Sequence, residues 1–314
     1  KIHKSMKRVL VTGGSGFIGL HLIKKLVSEG NEVLSLDKSV KSNNLTEFQD
    51  TVFVECDILD SDKLVKETTG IDCVIHLAGL SSPNKSIHNP HEHNRVNIDG
   101  TVNVLEACRI NDIKKFVFAS SSAVYGNKSS IPQTEDAQVF PSNPYGLSKV
   151  AGEKYCSIYS ENFGLETVSL RPFNVYGPGQ RTTSGVVAAF MEKIVLKQQP
   201  VIFGAGDYLR DFTFVEDVAE AFFLSTKNSK KANARTINIG SGKNYSIYDL
   251  LQKIEEISET KIEPLKKESL LGDVKQTLPD ITLAKELLGW EPKHSLSEGL
   301  KITYDWYKKN LTKS

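Results

Sequence analysis

Tyr145 and Lys149 stand four residues apart in a segment with helical periodicity, so both side chains are expected on one face of a helix. A phenol with an ordinary pKa of about 10 is a poor base at neutral pH. A cationic lysine one turn away stabilises the phenolate and is expected to lower that pKa. Three serines, Ser120, Ser121 and Ser122, close a predicted strand, where a hydroxyl can hold a substrate oxygen. These residues therefore predict proton transfer at a substrate oxygen.

A glycine-rich segment, TGGSGFIG, directly follows the first predicted strand and opens the first predicted helix. Gly13 is expected to permit a tight turn, Gly16 to let the backbone approach a pyrophosphate, and Gly19 to seat the helix close to the sheet. The N-terminus of such a helix also offers unpaired N–H donors to phosphates. The segment therefore predicts a dinucleotide site.

Acidic residues after the second and third predicted strands bear on which nucleotide is bound. Asp37 ends the second strand, where a carboxylate accepts a hydrogen bond from an adenosine ribose hydroxyl and repels a 2′-phosphate. This position favours NAD over NADP, although the neighbouring Lys38 weakens the preference. Asp57 follows the third strand and could bind the adenine edge.

Short β-branched or apolar runs alternate with helical periods in the first half of the chain. Helices are predicted at Phe17–Ser28 and at about 92–111. Because strands alternating with helices indicate βαβ units with right-handed crossovers, we expect an α/β fold with a Rossmann-type, doubly wound parallel sheet. The predicted strands are Arg8–Thr12, 32–36, 51–54, Cys73–His76, Lys115–Ala119 and, later in the chain, Arg235–Ile239.

The regular pattern breaks after about residue 171. A stretch dense in proline and glycine, 171–183, and a second irregular stretch, 204–211, interrupt the periodicity. Residues 1–170 and 212–240 are therefore predicted to form the NAD-binding domain. Residues 171–211 and 241–314 are predicted to form a smaller, mixed α/β lobe that binds the substrate.

Composition excludes several classes of protein. The 314 residues include 39 Lys and Arg against 38 Asp and Glu, a net charge of +1 that argues against nucleic acid or an anionic membrane as partner. No apolar stretch approaches a membrane span. Four scattered cysteines and the lack of an apolar signal at the start predict a cytoplasmic protein with reduced thiols. The spacing of His88, His91 and His93 does not converge on one helical face, so no metal site is predicted.

Eight ordered motifs resemble those of the extended short-chain dehydrogenase/reductase family, in its NAD-dependent nucleotide-sugar epimerase/dehydratase branch. The resemblance covers nearly the whole chain from Lys7 onward, and it is greatest to the UDP-glucose and UDP-N-acetylglucosamine 4-epimerases. The motifs are TGGSGFIG, HLAG (76–79), NIDGT (97–101), SSSAVYG (120–126), YGLSK (145–149), RPFNVYGPGQR (171–181), RDF (210–212) and GDV (272–274).

The resemblance implies a role for each matching residue. Ser121, Tyr145 and Lys149 would be the catalytic residues. The cofactor would be contacted by Gly13, Gly16, Phe17, Ile18, Gly19, Asp37, Lys38, Asp57, Ile58, Leu77, Ala78, Gly79, Asn97, Tyr145 and Lys149. The substrate would be contacted by Ser81, Ser122, Asn174, Arg181, Arg210, Asp273 and Thr277.

Two positions after the candidate catalytic serine narrow the reaction. The family's dehydratases carry an acidic pair there, and its decarboxylases keep a glutamate, whereas this chain has Ser122 and Ala123. Neither side chain can act as a general acid, which leaves epimerisation or ketone reduction. In the expected epimerisation, Tyr145 takes the proton of the sugar C4 hydroxyl while hydride passes from C4 to NAD. The 4-keto sugar then turns, and hydride returns to its other face.

Single positions bear on the sugar and the nucleotide. Thr277 stands where hexose-restricted 4-epimerases have tyrosine, which implies room for an N-acetyl group; Asn174 stands where uronate epimerases tend to have threonine. Leu270 replaces an arginine common among relatives, so a diphosphate contact is missing there or is supplied by Lys267 or Lys275. The helices near 92–111 and 145–162 resemble those that pair in the family's homodimers, which implies a homodimer.

Two other functions remain open from the sequence. An NAD(P)H-dependent reductase of nucleotide 4-keto sugars would use the same fold, but it would turn over and release its nucleotide. A non-catalytic nucleotide sensor would need no base, so the presence of Ser121, Tyr145 and Lys149 argues against it.

Overall fold

The computed structural model describes residues 7–40, 48, 50–268 and 274–311. The strands are β1 (Arg8–Thr12), β2 (Glu32–Asp37), β3 (Thr51–Glu55), β4 (Cys73–His76), β5 (Lys115–Ala119), β6 (Glu166–Pro172), β7 (Val175–Tyr176), β8 (Val201–Phe203), β9 (Leu209–Arg210), β10 (Thr213–Phe214), β11 (Arg235–Ile239), β12 (Tyr245–Ser246) and β13 (Leu265–Lys267). The helices are α1 (Phe17–Ser28), α2 (Ser61–Glu67), α3 (Pro83–His88), α4 (Pro90–Asn94), α5 (Gly100–Ile110), α6 (Pro144–Phe163), α7 (Val186–Val195), α8 (Val215–Asn228), α9 (Ile247–Ser258), α10 (Thr282–Leu288) and α11 (Leu296–Leu311).

A parallel sheet forms the centre of the molecule. Within the described residues it has seven strands in the order β11-β6-β5-β4-β1-β2-β3, and every neighbouring pair is parallel. The strand order reverses between β1 and β4, where such sheets bind ligands beyond the carboxyl ends of their strands. The predicted doubly wound α/β fold is confirmed, and β1 and α1 have the predicted bounds.

Apolar side chains cover both faces of the sheet. On one face α1 and α8 pack together through residues such as Leu22, Ile23 and Phe222. On the other face Leu105 of α5 and Cys156 of α6 lie in a second cluster. Because both faces are covered, strands such as β1 and β4 are buried apolar runs, which is why they could be recognised in the sequence.

Strand β6 is not among the predicted strands. Its sequence, ETVSLRP, places polar residues at every second position, and Thr167, Ser169 and Arg171 are nevertheless buried. Each burial depends on partners elsewhere in the chain; for example, Thr167 Oγ1 donates to the carbonyl of Cys156 at 3.0 Å. A polar strand whose partners are distant does not read as a buried one.

The stretch 92–111, predicted as one helix, is more irregular. A π-helical turn, Arg95–Asp99, separates α4 from α5. Such turns insert an extra residue into the helical repeat and often mark functional sites. Here the turn contains Asn97, which is buried.

A third apolar cluster lies beside the sheet and contains Phe190 of α7, Leu250 of α9 and Tyr307 of α11. Within the described residues three small strand pairs accompany it, antiparallel β9–β12 and parallel β7–β10 and β8–β13. Trp290, from the end of the chain, packs instead with the residues that cover the sheet. The division into 1–170 with 212–240 and 171–211 with 241–314 stays a prediction. None of the described helices is long and apolar enough to cross a membrane.

Candidate active site

The glycine loop between β1 and α1 is closed by backbone contacts that leave no room for side chains. Gly13 has a φ of +72°, and a Cβ there would lie 2.7 Å from the amide nitrogen of Ala78. A Cβ at Gly19 would lie 2.4 Å from the carbonyl oxygen of Gly13. Gly13 therefore makes the expected tight turn. At position 19 a side chain would collide with the backbone of the glycine loop, so a glycine is needed there for the packing of α1 against that loop.

The start of α1 is suited to an anion. Gly16 is the exposed N-cap residue, and in the described chain no side chain caps this end. Its first amides therefore keep donors available to phosphate oxygens. Phe17 and Ile18 follow in the first turn, both partly buried. Gly14 was not singled out from the sequence, yet a Cβ there would lie 2.3 Å from Ser35 Oγ.

Asp37 lies at the carboxyl end of β2, beside the glycine loop. Its Oδ2 accepts hydrogen bonds from the amide of Ser15 at 2.9 Å and from Ser35 Oγ at 3.2 Å. Burial raises the pKa of this carboxyl group, opposed by the bonds from Ser15 and Ser35. Lys38 is exposed and pairs with Asp57 at 3.1 Å, and Ile58 is buried next to that pair. A partly desolvated carboxylate here accepts from hydroxyls and repels phosphate.

The segment that follows β4 lies next to the predicted catalytic lysine. A Cβ on Gly79 would lie 3.0 Å from Asn97 Oδ1 and 3.8 Å from Lys149 Nζ. Asn97 holds the segment by accepting from the amide of Leu80 at 2.8 Å and donating to its carbonyl at 3.0 Å. Its Nδ2 also donates to Ser148 Oγ on α6, at 3.1 Å. Leu77 and Ala78, which precede Gly79, are partly buried.

A buried histidine, His76, connects the end of β1 with α5. In the sequence it is noted only as part of the HLAG motif. His76 Nδ1 lies 2.6 Å from Thr12 Oγ1, and its Nε2 lies 3.0 Å from Thr101 Oγ1. Thr101 Oγ1 donates to the carbonyl of Asn97 at 2.6 Å, and Thr12 Oγ1 accepts from the amide of Ala78 at 3.2 Å. Because each hydroxyl has one proton, His76 is protonated on Nε2 and accepts on Nδ1. Burial, with Lys149 nearby, lowers the pKa of His76 to about 3, which keeps the ring neutral.

Ser121, Tyr145 and Lys149 are brought together as predicted. Tyr145 and Lys149 lie on the buried face of α6, and the phenol of Tyr145 is hydrogen-bonded to Ser121. Lys149 Nζ donates to the carbonyl of Ala119 at 2.7 Å and lies 5.8 Å from the centre of the Tyr145 ring. Ser121 Oγ also accepts from the amide of Ala123 at 3.2 Å.

The pKa of Tyr145 does not move in the expected direction. Burial raises it, and the hydrogen bond with Ser121 opposes that effect without reversing it. Burial also lowers the pKa of Lys149 to about 8, against the nearby negative charge of Glu153. Desolvation disfavours the charged form of each group. The site therefore favours a neutral phenol beside an ammonium group that loses its proton more readily than usual. The predicted lowering of the Tyr145 pKa by Lys149 is therefore not found in this structure.

A cavity of about 310 Å³ opens where the irregular segments meet α7 and β8, and its lining includes Asn174 and Arg210. Arg210 is buried, donates to the carbonyl of Leu209 at 3.1 Å and lies over the ring of Tyr208. Asn174 has a φ of +27° and donates to the carbonyl of Asp211 at 2.7 Å.

Thr277 is buried below Asn174 and does not itself line the cavity. Its Oγ1 accepts from the amide of Asp211 at 3.0 Å and from Asn174 Nδ2 at 3.2 Å. Asp211, which was not predicted as a site residue, fixes this corner because its carboxylate accepts from Thr213, Ser241 and Lys243. Burial raises the pKa of Asp211 to about 6, against those bonds. Asp211 could have been found from the sequence because it is the middle residue of the RDF motif.

Other predicted substrate residues lie outside the cavity lining. Arg181 and Ser81 are exposed, and Ser122 begins a 3₁₀ turn beside Ser121. Asp273, and Leu270 at the departure from the family pattern, lie outside the described residues. The suggested substitutes for the missing arginine, Lys267 and Lys275, are both exposed and absent from the described lining. The structure thus brings Asn174, Arg210 and Thr277 together but not Arg181.

The histidine run is dispersed. His88 and His91 are exposed, whereas His93 is buried and its Nδ1 is bonded to the carbonyl of Asn89 at 3.0 Å. Over the described ranges, no three His, Cys, Asp or Glu side chains are grouped closely enough to hold a metal ion.

Comparison with known proteins agrees with this geometry. A model of the NAD-dependent epimerase/dehydratase family matches residues 9–240. The chain belongs to this family. The match confirms the predicted family, its NAD cofactor and the predicted class of enzyme, an NAD-dependent nucleotide-sugar epimerase.

Three solved structures of epimerases are similar over almost their whole length. UDP-glucose 4-epimerase from Thermotoga maritima, with UDP-glucose, is 36% identical with a TM-score of 0.92, covering 97% of this chain and 99% of that one. UDP-N-acetylglucosamine 4-epimerase from Methanobrevibacter ruminantium, with UDP-N-acetylmuramic acid, is 34% identical with a TM-score of 0.91, covering 98% and 99%. UDP-glucuronic acid 4-epimerase from Bacillus cereus, with UDP-glucuronic acid and NAD, is 34% identical with a TM-score of 0.90, covering 96% and 99%. UDP-sugar 4-epimerase activity is thus supported for this epimerase, whereas the three relatives differ in their sugars.

Replacing His76 with leucine is expected to weaken NAD binding and to lower the free energy of unfolding by about 3 kcal/mol, because two buried hydroxyls lose a partner. NAD titration by calorimetry and urea unfolding measure the two effects. Ser225→Ala is the matched control, since Ser225 is a buried hydroxyl of α8 that bonds only within its helix, to the carbonyl of Ala221. A His76→Leu protein that binds NAD as tightly as the parent contradicts the role of this chain of bonds.

Proposed function

We propose that the enzyme interconverts the C4 epimers of UDP-glucose and UDP-galactose and also those of UDP-N-acetylglucosamine and UDP-N-acetylgalactosamine. Its catalytic residues would be Ser121, Tyr145 and Lys149. The observation that carries this proposal is their buried cluster at the sheet edge, where Lys149 Nζ is close to the Gly79 backbone as well as to Tyr145. The names of the three relatives, which all specify epimerisation at position 4, support the same reaction.

The residues around the glycine loop fit NAD. The uncapped start of α1 suits the pyrophosphate, and Asp37 suits the adenosine ribose. Lys149 of α6, whose Nζ lies near Gly79, suits the nicotinamide ribose. When bound, NAD supplies a reversible acceptor for the hydride of the sugar's C4. The protein's part is to orient the two reactants and to manage the proton.

Proton transfer at O4 falls to the cluster on α6. Ser121 holds O4, and the phenolate form of Tyr145 removes its proton, becomes the neutral phenol and returns the proton after the sugar has turned. Lys149 has three N–H donors, of which the Ala119 carbonyl takes one, so the ammonium group can also stabilise the phenolate. Because burial raises the pKa of Tyr145, the phenolate fraction and with it the rate are expected to rise with pH from neutrality and to level off above about pH 8, where Lys149 loses its proton.

The choice between reactions and between sugars rests on neighbouring side chains. Ser122 and Ala123 supply no acid for dehydration. Arg210 lines the cavity, which suits a diphosphate, and we assign it that role in preference to the exposed Arg181. Thr277 is small, and its hydroxyl is occupied by Asp211 and Asn174, so it leaves space near Asn174 for an N-acetyl group.

We further propose a cytoplasmic homodimer. Support for reduced surroundings comes from the four cysteines, which are all buried and free. Support for a dimer comes from large apolar side chains left exposed on α5 and α6, namely Ile110, Leu147, Ile158 and Phe163. Leu147 and Ile158 are three helical turns apart, so they lie on one face of α6.

The direct test is to incubate the purified enzyme with UDP-glucose and with UDP-N-acetylglucosamine, with no reductant, and to resolve the C4 epimers by NMR. We expect conversion of both. Tyr145→Phe should abolish turnover, because the proton acceptor is removed, while NAD binding persists. Conversion that survives Tyr145→Phe contradicts the mechanism. Turnover that requires added reductant would identify a 4-keto-sugar reductase instead.

Thr277→Tyr is expected to lower kcat/KM for UDP-N-acetylglucosamine about tenfold more than for UDP-glucose, because the larger side chain fills the space for the N-acetyl group. Steady-state assays with both sugars measure the ratio. Thr277→Val is the matched control, since it loses the bonds to Asp211 and Asn174 without adding the ring, and it should affect both sugars alike. Equal losses in Thr277→Tyr would contradict the assignment.

Ile158→Glu is expected to convert the dimer to a monomer, because it places a charge in the proposed apolar interface. Analytical ultracentrifugation measures the mass of each species. Ile302→Glu serves as the control, because Ile302 is similarly exposed but lies on α11. A parent protein that sediments as a monomer, or an Ile158→Glu variant that remains dimeric, overturns this interface.

A further inference from the structure

Three residues of α6, spaced by four, meet three consecutive residues at the end of β5. Lys149 donates to the carbonyl of Ala119, and Tyr145 bonds Ser121. The third is Glu153, whose Oε1 accepts from Ser120 Oγ at 2.5 Å. Residues four apart share one helical face, so a single face of α6 is bonded along the whole end of the strand.

Glu153 is held rigidly from the other side. Arg171 of β6 donates to both of its carboxylate oxygens, from Nε to Oε1 and from Nη2 to Oε2, each at 2.8 Å. Arg171 Nη1 donates to the hydroxyl of Tyr125 at 2.7 Å, which donates in turn to Asn238 of β11 at 2.7 Å. Because Glu153 and Arg171 are both buried, their bidentate geometry is fixed by packing as well as by charge.

We propose that Glu153 is a positioning residue for proton transfer. By fixing Ser120, it sets the positions of the Ala119 carbonyl and the Ser121 hydroxyl on either side, which hold Lys149 and Tyr145. The inference rests on the proposed function for its kinetic consequence, whereas its geometric and electrostatic consequences do not depend on that function.

The electrostatic consequence concerns Lys149. The titratable groups around its ammonium are Tyr145, Glu153 and Cys156 on α6 and His76 on β4, with Arg171 of β6 bonded to Glu153. Burial raises the pKa of Tyr145, raises that of Cys156 to about 12 and lowers that of His76 to about 3, so these three groups are neutral near pH 7.

Of these described groups, Glu153 therefore carries the negative charge. Without it, the charge of Arg171 would be uncompensated, and the pKa of Lys149 would fall further below its already lowered value. If Glu153 had a purely structural role, its loss would not require a fall in the pKa of Lys149.

Glu153→Gln is the first test, because glutamine keeps the shape but cannot accept from Ser120 and from both nitrogens of Arg171. We expect kcat to fall about tenfold, with KM for the UDP-sugar within about threefold, and the inflection of the kcat profile that follows Lys149 to move to lower pH. Glu166→Gln is the matched control: Glu166 also accepts from a serine, Ser229, at 2.5 Å, but at the opposite end of β6. It should leave kcat and its pH profile unchanged.

Ser120→Ala provides a milder second test and a double-mutant cycle. It should lower kcat by itself and add little in the Glu153→Gln background, since both changes act on the same hydrogen bond, from Ser120 Oγ to Glu153. Additive effects, or a Glu153→Gln variant with parental kcat and pH profile, overturn the proposal.

A readout that needs no turnover separates this inference from the proposed function. The ¹⁵N shift of the Lys149 side chain, assigned with Lys149→Arg in ¹⁵N-lysine protein, gives its pKa in the parent and in Glu153→Gln. A fall in that pKa supports the electrostatic role even if the parent epimerises no tested sugar, and an unchanged pKa contradicts it. Lack of epimerisation by the parent refutes the proposed function alone.

Discussion

The buried ammonium group of Lys149 is the constraint on which the rest of the active site depends. A desolvated cation is stable only with hydrogen-bond partners and a compensating charge. Lys149 has the carbonyl of Ala119 and, one helical turn further along α6, the carboxylate of Glu153. Arg171 in turn orients that carboxylate from β6. The sheet edge, α6 and β6 are therefore bound to one another through buried charged groups that are costly to leave unpaired.

A second connection joins the nucleotide loop to the same helix. The neutral ring of His76 bonds Thr12 at the end of β1 and Thr101 at the start of α5, and Thr101 bonds Asn97. Asn97 reaches α6 through Ser148. This chain of hydrogen bonds therefore connects the end of β1 with the helix that carries Tyr145 and Lys149.

The substrate side is built differently, from short irregular segments fixed by one buried carboxylate. Asp211 binds the 241–243 segment through its side chain, while its backbone bonds Asn174 and Thr277. Residue 277 is therefore connected to the cavity through Asn174, which lines it. Relatives of almost equal similarity, with TM-scores from 0.90 to 0.92, are named for different sugars.

The sequence by itself determined the features that depend on neighbours in the chain. The apolar runs of β1 and β4, the glycines before α1 and the four-residue spacing of Tyr145 and Lys149 are local, and the structure places them as predicted. Only the tertiary structure decided the features that depend on distant contacts. Polar β6 is buried because Glu153 and Cys156 of α6 meet Arg171 and Thr167. The pKa of Tyr145 rises because burial outweighs its hydrogen bond with Ser121, and burial is a property of the packed molecule rather than of residue spacing.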